Sequence, residues 1–213
     1  MKKIGITGGI GAGKSLAGKL LRSRGYQVLD ADKAVHDLYR DCSELREKLS
    51  QAFGPECLTE GGVNRDFFVE RVFSSKDIRE KLEALVYPYL TREVEKFFAG
   101  ETNASAGDTR DIPARFVEAA LFSRVPEIVE MLDGIWLVEA PEEMRLQRLV
   151  ERGLNEQDAR NRIENQRADF GMGTACSTGT CTPTFLGKPV TTLQNSSDRE
   201  TFENTVDAAL ASL

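Results

Sequence analysis

The stretch GITGGIGAGKSLAG, residues 5–18, decides the fold because a cluster of glycines lies between two segments with regular apolar patterns. Residues 3–7 form a short apolar run that is typical of a buried parallel strand. From Lys14 onward the apolar residues recur on one helical face, and Gly25 follows a basic last turn, as a helix C-cap does. Residues 26–29 predict a second short strand. The chain therefore begins with a strand, a glycine loop, a helix and a strand, which is a βαβ unit.

The glycine loop fits the pattern G-x-x-x-x-G-K-[ST] from Gly8 to Ser15. Glycines let consecutive backbone N–H groups turn inward around a phosphate chain, and the N-terminus of the next helix points at the same anion. We expect a phosphate-binding loop (P-loop) in which Lys14 reaches the β and γ phosphates of ATP and Ser15 ligates Mg²⁺. The residues expected to bind the nucleotide in this segment are Gly9, Gly11, Ala12, Gly13, Lys14, Ser15 and Leu16.

Two carboxylates follow the second strand and suggest where the phosphate goes. The sequence has no N-K-x-D guanine signature and no apolar run ending in Asp-Glu, so neither a GTPase nor a motor-type ATPase is favoured. Asp30 and Asp32 lie at the carboxyl end of the strand, the edge where doubly wound sheets bind ligands. A carboxylate there can accept the proton of an attacking hydroxyl. We favour Asp32 over Asp30 as this base, and the alternative is that Asp32 caps the following helix.

A helical insertion follows from residue 34 to about residue 98, with one helix predicted to end near Pro88. Arg65 and Arg71 flank a junction between a loop and a helix in this insertion. Arginines in that position suit an anionic acceptor, because the guanidinium group recognises phosphate and carboxylate groups. The alternative is that they belong to a solvated charged face.

The second half of the chain returns to alternating strands and helices. Residues 115–121 and 134–140 are candidate central strands, and helices are predicted over 142–152 and 156–167. These two helices are rich in arginine, at Arg148, Arg152, Arg160, Arg162 and Arg167. Such a hairpin suits a lid that closes on a triphosphate and excludes water. The alternative is a helix pair held by i,i+4 ion pairs with glutamates.

Composition excludes several classes of protein. The chain has 213 residues, with 28 basic and 34 acidic side chains, so the net charge of −6 argues against a general nucleic-acid coat. No apolar run approaches the roughly 20 residues of a spanning helix, and no signal peptide is evident, so we expect a cytoplasmic protein. Four cysteines and one histidine are too few and too scattered for a disulfide framework or a zinc site. We therefore expect reduced cysteines.

The sequence resembles the dephospho-coenzyme A kinases. The segments that carry the resemblance, in order and spacing, are TGGIGAGKS (7–15), VLDAD (28–32), GGVNRDFFVERVF (61–73), RLQRLVERGLNEQDARNRIENQ (145–166) and VTTLQNSSDRETFENTV (190–206). The resemblance implies an α/β P-loop kinase with a doubly wound parallel sheet core, a helical acceptor-binding insertion and a helical lid. It implies a nucleotide-binding core at residues 1–33 and 99–213, a lid at about 145–170, and an acceptor-binding subdomain at 34–98.

The resemblance also implies an activity and roles for individual residues. Members of this family transfer the γ-phosphoryl group of ATP to the ribose 3′-hydroxyl of dephospho-CoA, in the last step of coenzyme A biosynthesis. By resemblance, Asp32 is the catalytic base, Arg65 and Arg71 hold the acceptor, and Arg148 and Arg152 meet the donor phosphates. ATP and dephospho-CoA are then the expected partners, and neither nucleic acid nor a membrane is expected.

The sequence departs from the family pattern at three places. Tyr87-Pro88 stands where the family usually has His-Pro, so Tyr87 is expected at the acceptor site. The strand-end sequence of residues 120–123 lacks the usual glutamate, which is either missing or displaced to Glu118, and residues 174–181 have the appearance of a loop insertion. Two alternatives therefore stay open: a P-loop kinase for another small hydroxyl or nucleotide acceptor, and a catalytically weak ATP-binding regulatory module.

Overall fold

The computed structural model describes residues 1–101, 112–120, 122–167, 172–177 and 180–213. The chain forms two compact units. The first, here called the core unit, comprises Met1–Leu29 and Asn103–Leu213, and the second, the helical unit, comprises Asp30–Thr102.

The strands are β1 (Lys2–Gly8), β2 (Gln27–Asp30), β3 (Leu58–Thr59), β4 (Gly62–Val63), β5 (Ala114–Glu118), β6 (Gly134–Glu139), β7 (Met172–Ser177), β8 (Thr180–Phe185) and β9 (Lys188–Gln194). The helices are α1 (Lys14–Ser23), α2 (Ala31–Asp41), α3 (Ser43–Phe53), α4 (Arg65–Ser74), α5 (Lys76–Ala99), α6 (Pro126–Met131), α7 (Glu142–Glu151), α8 (Glu156–Arg167) and α9 (Arg199–Ala211). Short 3₁₀ turns lie at Pro55–Cys57 and Phe122–Arg124.

A seven-stranded sheet, in the order β2-β5-β1-β6-β9-β8-β7, forms the centre of the core unit. Strand β1 pairs in parallel with β5 on one side and β6 on the other, and β6 pairs in parallel with β9. Consecutive residues of β1 and β6 are buried without alternation because central parallel strands are covered on both faces. The α/β class and the mainly parallel sheet predicted from the sequence are confirmed.

Large apolar side chains from strands and helices fill the core of this unit. Phe116 of β5 and Trp136 of β6 are almost fully buried and lie with their ring centroids 4.9 Å apart. Phe202 and Val206 of α9 join the same cluster. Each such side chain contributes roughly 1.5–3 kcal/mol on transfer from water. This packing fixes the carboxyl ends of β1, β5 and β6. The P-loop begins at the end of β1.

The expectation that residues 174–181 form a loop is wrong for the part that the structure describes. Strands β7 and β8 pair antiparallel there, with Ser177 opposite Thr180 and Cys176 opposite Cys181 along the backbone. Strand β8 continues the sheet by pairing antiparallel with β9. Threonines are frequent in this stretch, and their β-branched side chains favour extended backbone. A threonine-rich segment that looked like a loop therefore contributes two paired strands.

The helical unit has its own apolar cluster, built from α2, α3, α4 and α5 around Leu45, Leu49 and Phe68. Helix α5 begins at an N-cap, Ser75, whose hydroxyl accepts a hydrogen bond from the Ile78 amide. The predicted end near Pro88 is wrong, because α5 continues through Pro88 to Ala99. Proline removes one helical hydrogen bond, but Val86 and Tyr89 on either side are buried in this cluster and hold the helix in place.

Across the described segments, no helix combines the length and the apolar character that crossing a lipid bilayer requires.

Candidate active site

The P-loop connects β1 to α1, as the sequence predicts. Gly13 is the N-cap of α1 and has a φ of 108°, a conformation that side chains with a Cβ rarely adopt. A Cβ atom at Gly13 would lie 2.2 Å from the Asn195 side-chain nitrogen. Glycine is therefore required at this position both for the turn and for the contact with Asn195.

Lys14 and Ser15 open helix α1 with their side chains held by different partners. The Lys14 ammonium donates a hydrogen bond to the Gly8 carbonyl at 2.8 Å, which folds it back over the loop. The Ser15 hydroxyl donates to the Glu118 carboxylate at 2.9 Å. Glu118 ends β5, is only 7% exposed, and lies opposite Ile6 in the register with β1. A hydroxyl and a carboxylate thus meet beside the phosphate loop.

Glu118 was expected only as a displaced strand-end glutamate, and the structure places it next to the predicted metal ligand, Ser15. The available signal was the sequence of β5, in which a mostly apolar strand ends in an acidic residue. Parallel strands that neighbour the P-loop strand bring their carboxyl ends to the same edge of the sheet. That rule, applied to Glu118, would have found the pair with Ser15.

A cavity of about 220 Å³ opens above the P-loop in the core unit. Its lining residues are Ile10, Gly11, Gly13, Lys14, Ser15, Leu16, Arg148, Arg152 and Asn195. The structure therefore brings most of the predicted nucleotide-binding residues together. Gly9 and Ala12 are buried and are not among the lining residues.

Arg148 is held against the backbone of the P-loop. Its guanidinium donates to the carbonyl oxygens of Gly11 and Ala12 at 3.2 and 3.4 Å. Arg152 is exposed and caps the carboxyl end of α7. The alternative of a helix pair held by i,i+4 ion pairs applies to Arg160, which contacts Glu156 at 2.7 Å. Arg148, also on this hairpin, instead bonds to the phosphate loop.

Asn195 is a residue that the sequence analysis did not assign to the site. It follows β9, is 3% exposed, and donates from its side-chain amide to the Ala12 carbonyl at 2.7 Å. The backbone and side-chain oxygens of Asn195 both accept from Arg148 at 3.3 Å. Asn195 therefore ties the loop, the arginine and the end of β9 together. The sequence feature that could have identified Asn195 is its position directly after a strand, in the segment 190–206 that carries the family resemblance.

In the helical unit the structure separates the roles of the two aspartates. Asp30 is the N-cap of α2, and its carboxylate accepts a hydrogen bond from the Lys33 amide at 3.0 Å. Asp32 lies in the first turn of the same helix and is exposed to solvent. The alternative reading of Asp32 as the helix cap is therefore wrong.

Arg65 lines an apolar groove of about 210 Å³ in the helical unit. The other lining residues are Tyr39, Phe68, Val69, Val72 and Leu82. Burial of the phenol raises the pKa of Tyr39 to about 12, and the nearby Arg65 charge opposes that rise. Tyr39 therefore stays neutral at physiological pH. Val69 is 50% exposed, so the groove presents apolar surface to solvent beside one cation.

Arg71 and Tyr87 are not among the residues that line this groove. The Arg71 guanidinium lies over the Phe67 ring, 3.8 Å from its centroid, and donates to the Phe67 carbonyl at 2.9 Å. Tyr87 is half-buried on α5.

Comparisons with known proteins point to one family. A family model described as Dephospho-CoA kinase matches residues 2–170. The dephospho-CoA kinase of Streptococcus pyogenes serotype M3 is 34% identical over 218 residues, covering 99% of this chain and 97% of the relative. That of Staphylococcus epidermidis is 32% identical over 167 residues, 78% of each chain.

Solved structures share the fold along the whole chain. A crystal structure of a Thermus thermophilus protein has a TM-score of 0.70 and 30% identity, covering 100% of this chain and 97% of that one. The dephospho-CoA kinase of Campylobacter jejuni has a TM-score of 0.62 at 21% identity, covering 99% and 96%. Because the family model covers most of the chain and relatives are more than 30% identical along it, the chain belongs to the dephospho-CoA kinase family.

Proposed function

We propose that this chain transfers the γ-phosphoryl group of ATP to the ribose 3′-hydroxyl of dephospho-CoA, giving CoA and ADP, in the cytoplasm. The observation that carries the proposal is the cavity above the P-loop, where Lys14, Ser15 and Arg148 converge in a chain of this family. Phosphoryl transfer depends mainly on positioning and on electrostatic stabilisation of the phosphoryl oxygens. Cations and backbone N–H groups around one cavity are the groups that such stabilisation requires.

In this proposal the P-loop binds the phosphates of the donor, ATP. Backbone N–H groups from Gly13 to Ser15, at the start of α1, would face the β phosphate. Lys14 would exchange its Gly8 carbonyl partner for the β and γ phosphate oxygens. Arg152, exposed at the cavity, would add a second cation. Arg148 keeps the loop in shape through its bonds to the Gly11 and Ala12 carbonyls.

The residues at the carboxyl end of β5 suit Mg²⁺. Ser15 and Glu118 offer a hydroxyl and a buried carboxylate side by side, and hard divalent cations prefer such oxygen ligands. Ser15 would ligate the ion directly and Glu118 would hold one of its waters. When bound, Mg²⁺ neutralises charge on the β and γ phosphates.

We expect Glu118→Gln to raise the Mg²⁺ concentration for half-maximal activity about 10- to 100-fold, because outer ligands of a metal site have effects of this size. The measurement is a magnesium titration of kinase activity at saturating ATP. Glu139→Gln is the matched control, since Glu139 ends the other strand beside β1, is exposed, and bonds to Gln194. Equal magnesium requirements for wild type and Glu118→Gln would remove Glu118 from the proposed site.

Asp32 is proposed as the base. The 3′-hydroxyl oxygen of the acceptor forms the new bond to the γ phosphorus, the bond from that phosphorus to the bridging oxygen breaks, and ADP leaves with that electron pair. The hydroxyl proton passes to the Asp32 carboxylate. Asp32 suits this role because it is exposed and because Asp30, rather than Asp32, caps the helix.

The groove that Arg65 lines is proposed to bind part of the acceptor. Dephospho-CoA carries a diphosphate next to a long uncharged arm, and the groove offers one guanidinium beside apolar walls. The neutral Tyr39 phenol adds a hydrogen-bond donor without adding charge. Arg71 would bind the acceptor only after leaving Phe67.

We expect Arg65→Ala to raise the KM for dephospho-CoA about 10- to 100-fold with the KM for ATP unchanged, since a charge-assisted hydrogen bond contributes about 1.5–3 kcal/mol. Steady-state kinetics with each substrate varied in turn gives both constants. Arg79→Ala is the control, because Arg79 lies in the same unit and does not line the groove. A rise in the KM for ATP alone would contradict the acceptor assignment.

The proposed function is tested by incubating the protein with Mg²⁺-ATP and a panel of acceptors, with products identified by mass. The panel contains dephospho-CoA, adenosine, shikimate and nucleoside monophosphates. CoA as the main product is the expected result. A different phosphorylated product would favour a kinase for another acceptor, and ATP binding without any transfer would favour a regulatory module.

A further inference from the structure

Ile10, in the middle of the P-loop, is bonded through both of its backbone polar atoms to the α7–α8 hairpin. Its amide donates to the side-chain oxygen of Gln166 at 2.5 Å, and its carbonyl accepts from Arg145 at 2.8 Å. Gln166 lies on α8 and Arg145 lies on α7. One loop residue is thus held by both helices.

The side chain of Ile10 joins the same contact. It packs against an apolar cluster whose buried members are Leu149, Ala159 and Ile163, one from α7 and two from α8. The hairpin therefore holds Ile10 by two hydrogen bonds and by apolar packing.

The glycines on either side of Ile10 make room for α7. A Cβ atom at Gly9 would lie 2.4 Å from a terminal nitrogen of the Arg145 guanidinium, and one at Gly11 would lie 2.8 Å from the Arg145 carbonyl oxygen. Gly11 also has a φ of 78°. Part of the glycine requirement of this loop comes from Arg145, in addition to the phosphates.

The binding of phosphate by a P-loop depends on the direction of its N–H groups before the ligand arrives. We propose that Arg145 and Gln166 are positioning residues that hold the Ile10 backbone. The α7–α8 hairpin thereby sets the affinity of the P-loop for the phosphate chain of the nucleotide. The inference rests on the proposed function only in that the P-loop binds nucleotide. A carboxamide suits this place because it accepts the Ile10 N–H without adding negative charge beside a phosphate site.

The test compares Gln166→Met with Gln157→Met in the full-length chain. Methionine has a similar length and lacks a strong acceptor, and Gln157 lies on the same helix, is exposed, and bonds to Asn161 instead of the P-loop. We expect Gln166→Met to weaken ADP binding about tenfold, measured by calorimetry, and to raise the KM for ATP similarly. The kcat, the KM for the acceptor and the melting temperature should stay near the wild-type values.

Calorimetry with ADP needs no acceptor, so it tests this inference even if the acceptor panel contradicts dephospho-CoA as substrate. ADP affinity within twofold of wild type for Gln166→Met, or an equal loss for Gln157→Met, would overturn the proposal. If Gln166→Met does not fold, Arg145→Lys is the second variant, because lysine keeps the charge but loses the Nε–H that bonds to Ile10. It should also weaken ADP binding, and unchanged affinity would again overturn the proposal.

Discussion

Replacing Asp32 by asparagine is expected to lower kcat about 10²- to 10⁴-fold while ATP affinity stays near the wild-type value. Asparagine keeps the size of the side chain and one hydrogen-bond acceptor, but it cannot take up the hydroxyl proton at neutral pH. In a loose phosphoryl-transfer transition state the hydroxyl keeps its proton until late, so the loss appears in kcat rather than in substrate binding. Single-turnover kinetics with dephospho-CoA and an independent nucleotide titration separate the two effects.

Asp30→Ala is the matched control for this prediction. Asp30 caps α2 through the Lys33 amide, and loss of an N-cap typically lowers the free energy of unfolding by about 1 kcal/mol. We therefore expect Asp30→Ala to be less stable, with kcat within a few-fold of wild type. Asp32→Asn should keep the wild-type stability and lose kcat. If Asp32→Asn turns over within a few-fold of wild type, the proton acceptor must be another group.

Replacing Lys14 by alanine is expected to lower kcat about 10²- to 10³-fold, as loss of one strong donor to a developing anion does in other enzymes. Lys14 belongs to the P-loop and lines the cavity above it. During the transfer, negative charge concentrates on the phosphoryl group next to the Lys14 ammonium. The protein should stay folded, because Lys14 lies at the start of α1 and its ammonium bonds to the Gly8 carbonyl within the same loop.

Lys19→Ala is the control for Lys14→Ala, because Lys19 is an exposed lysine on the same helix and does not line the cavity. Circular dichroism melting curves of both variants, together with kcat at saturating Mg²⁺-ATP, distinguish a folding defect from a catalytic one. A Lys14→Ala enzyme with near-normal turnover would contradict the role of the P-loop in catalysis.

Local patterns in the sequence were sufficient for several features of this protein. The P-loop and helix α1 follow from glycines and apolar spacing within about 20 residues, because loop geometry and helix amphipathicity depend on near neighbours along the chain. The parallel strands β5 and β6 were visible as apolar runs for the same reason. The pairing of β7 and β8 was missed because these threonine-rich strands carry no apolar run, and it is settled by the neighbouring strand β9.

Tertiary structure decided the features that depend on residues far apart in the sequence. One local feature was also left open, whether Asp32 caps α2, and the extended backbone of Asp30 assigns the cap to Asp30. The pairing of Ser15 with Glu118, and the hold of Gln166 on Ile10, join residues separated by 103 and 156 positions. Apolar periodicity reports which face of an element is buried, but the partner on that face is set by how strands and helices pack, and only the folded chain specifies it.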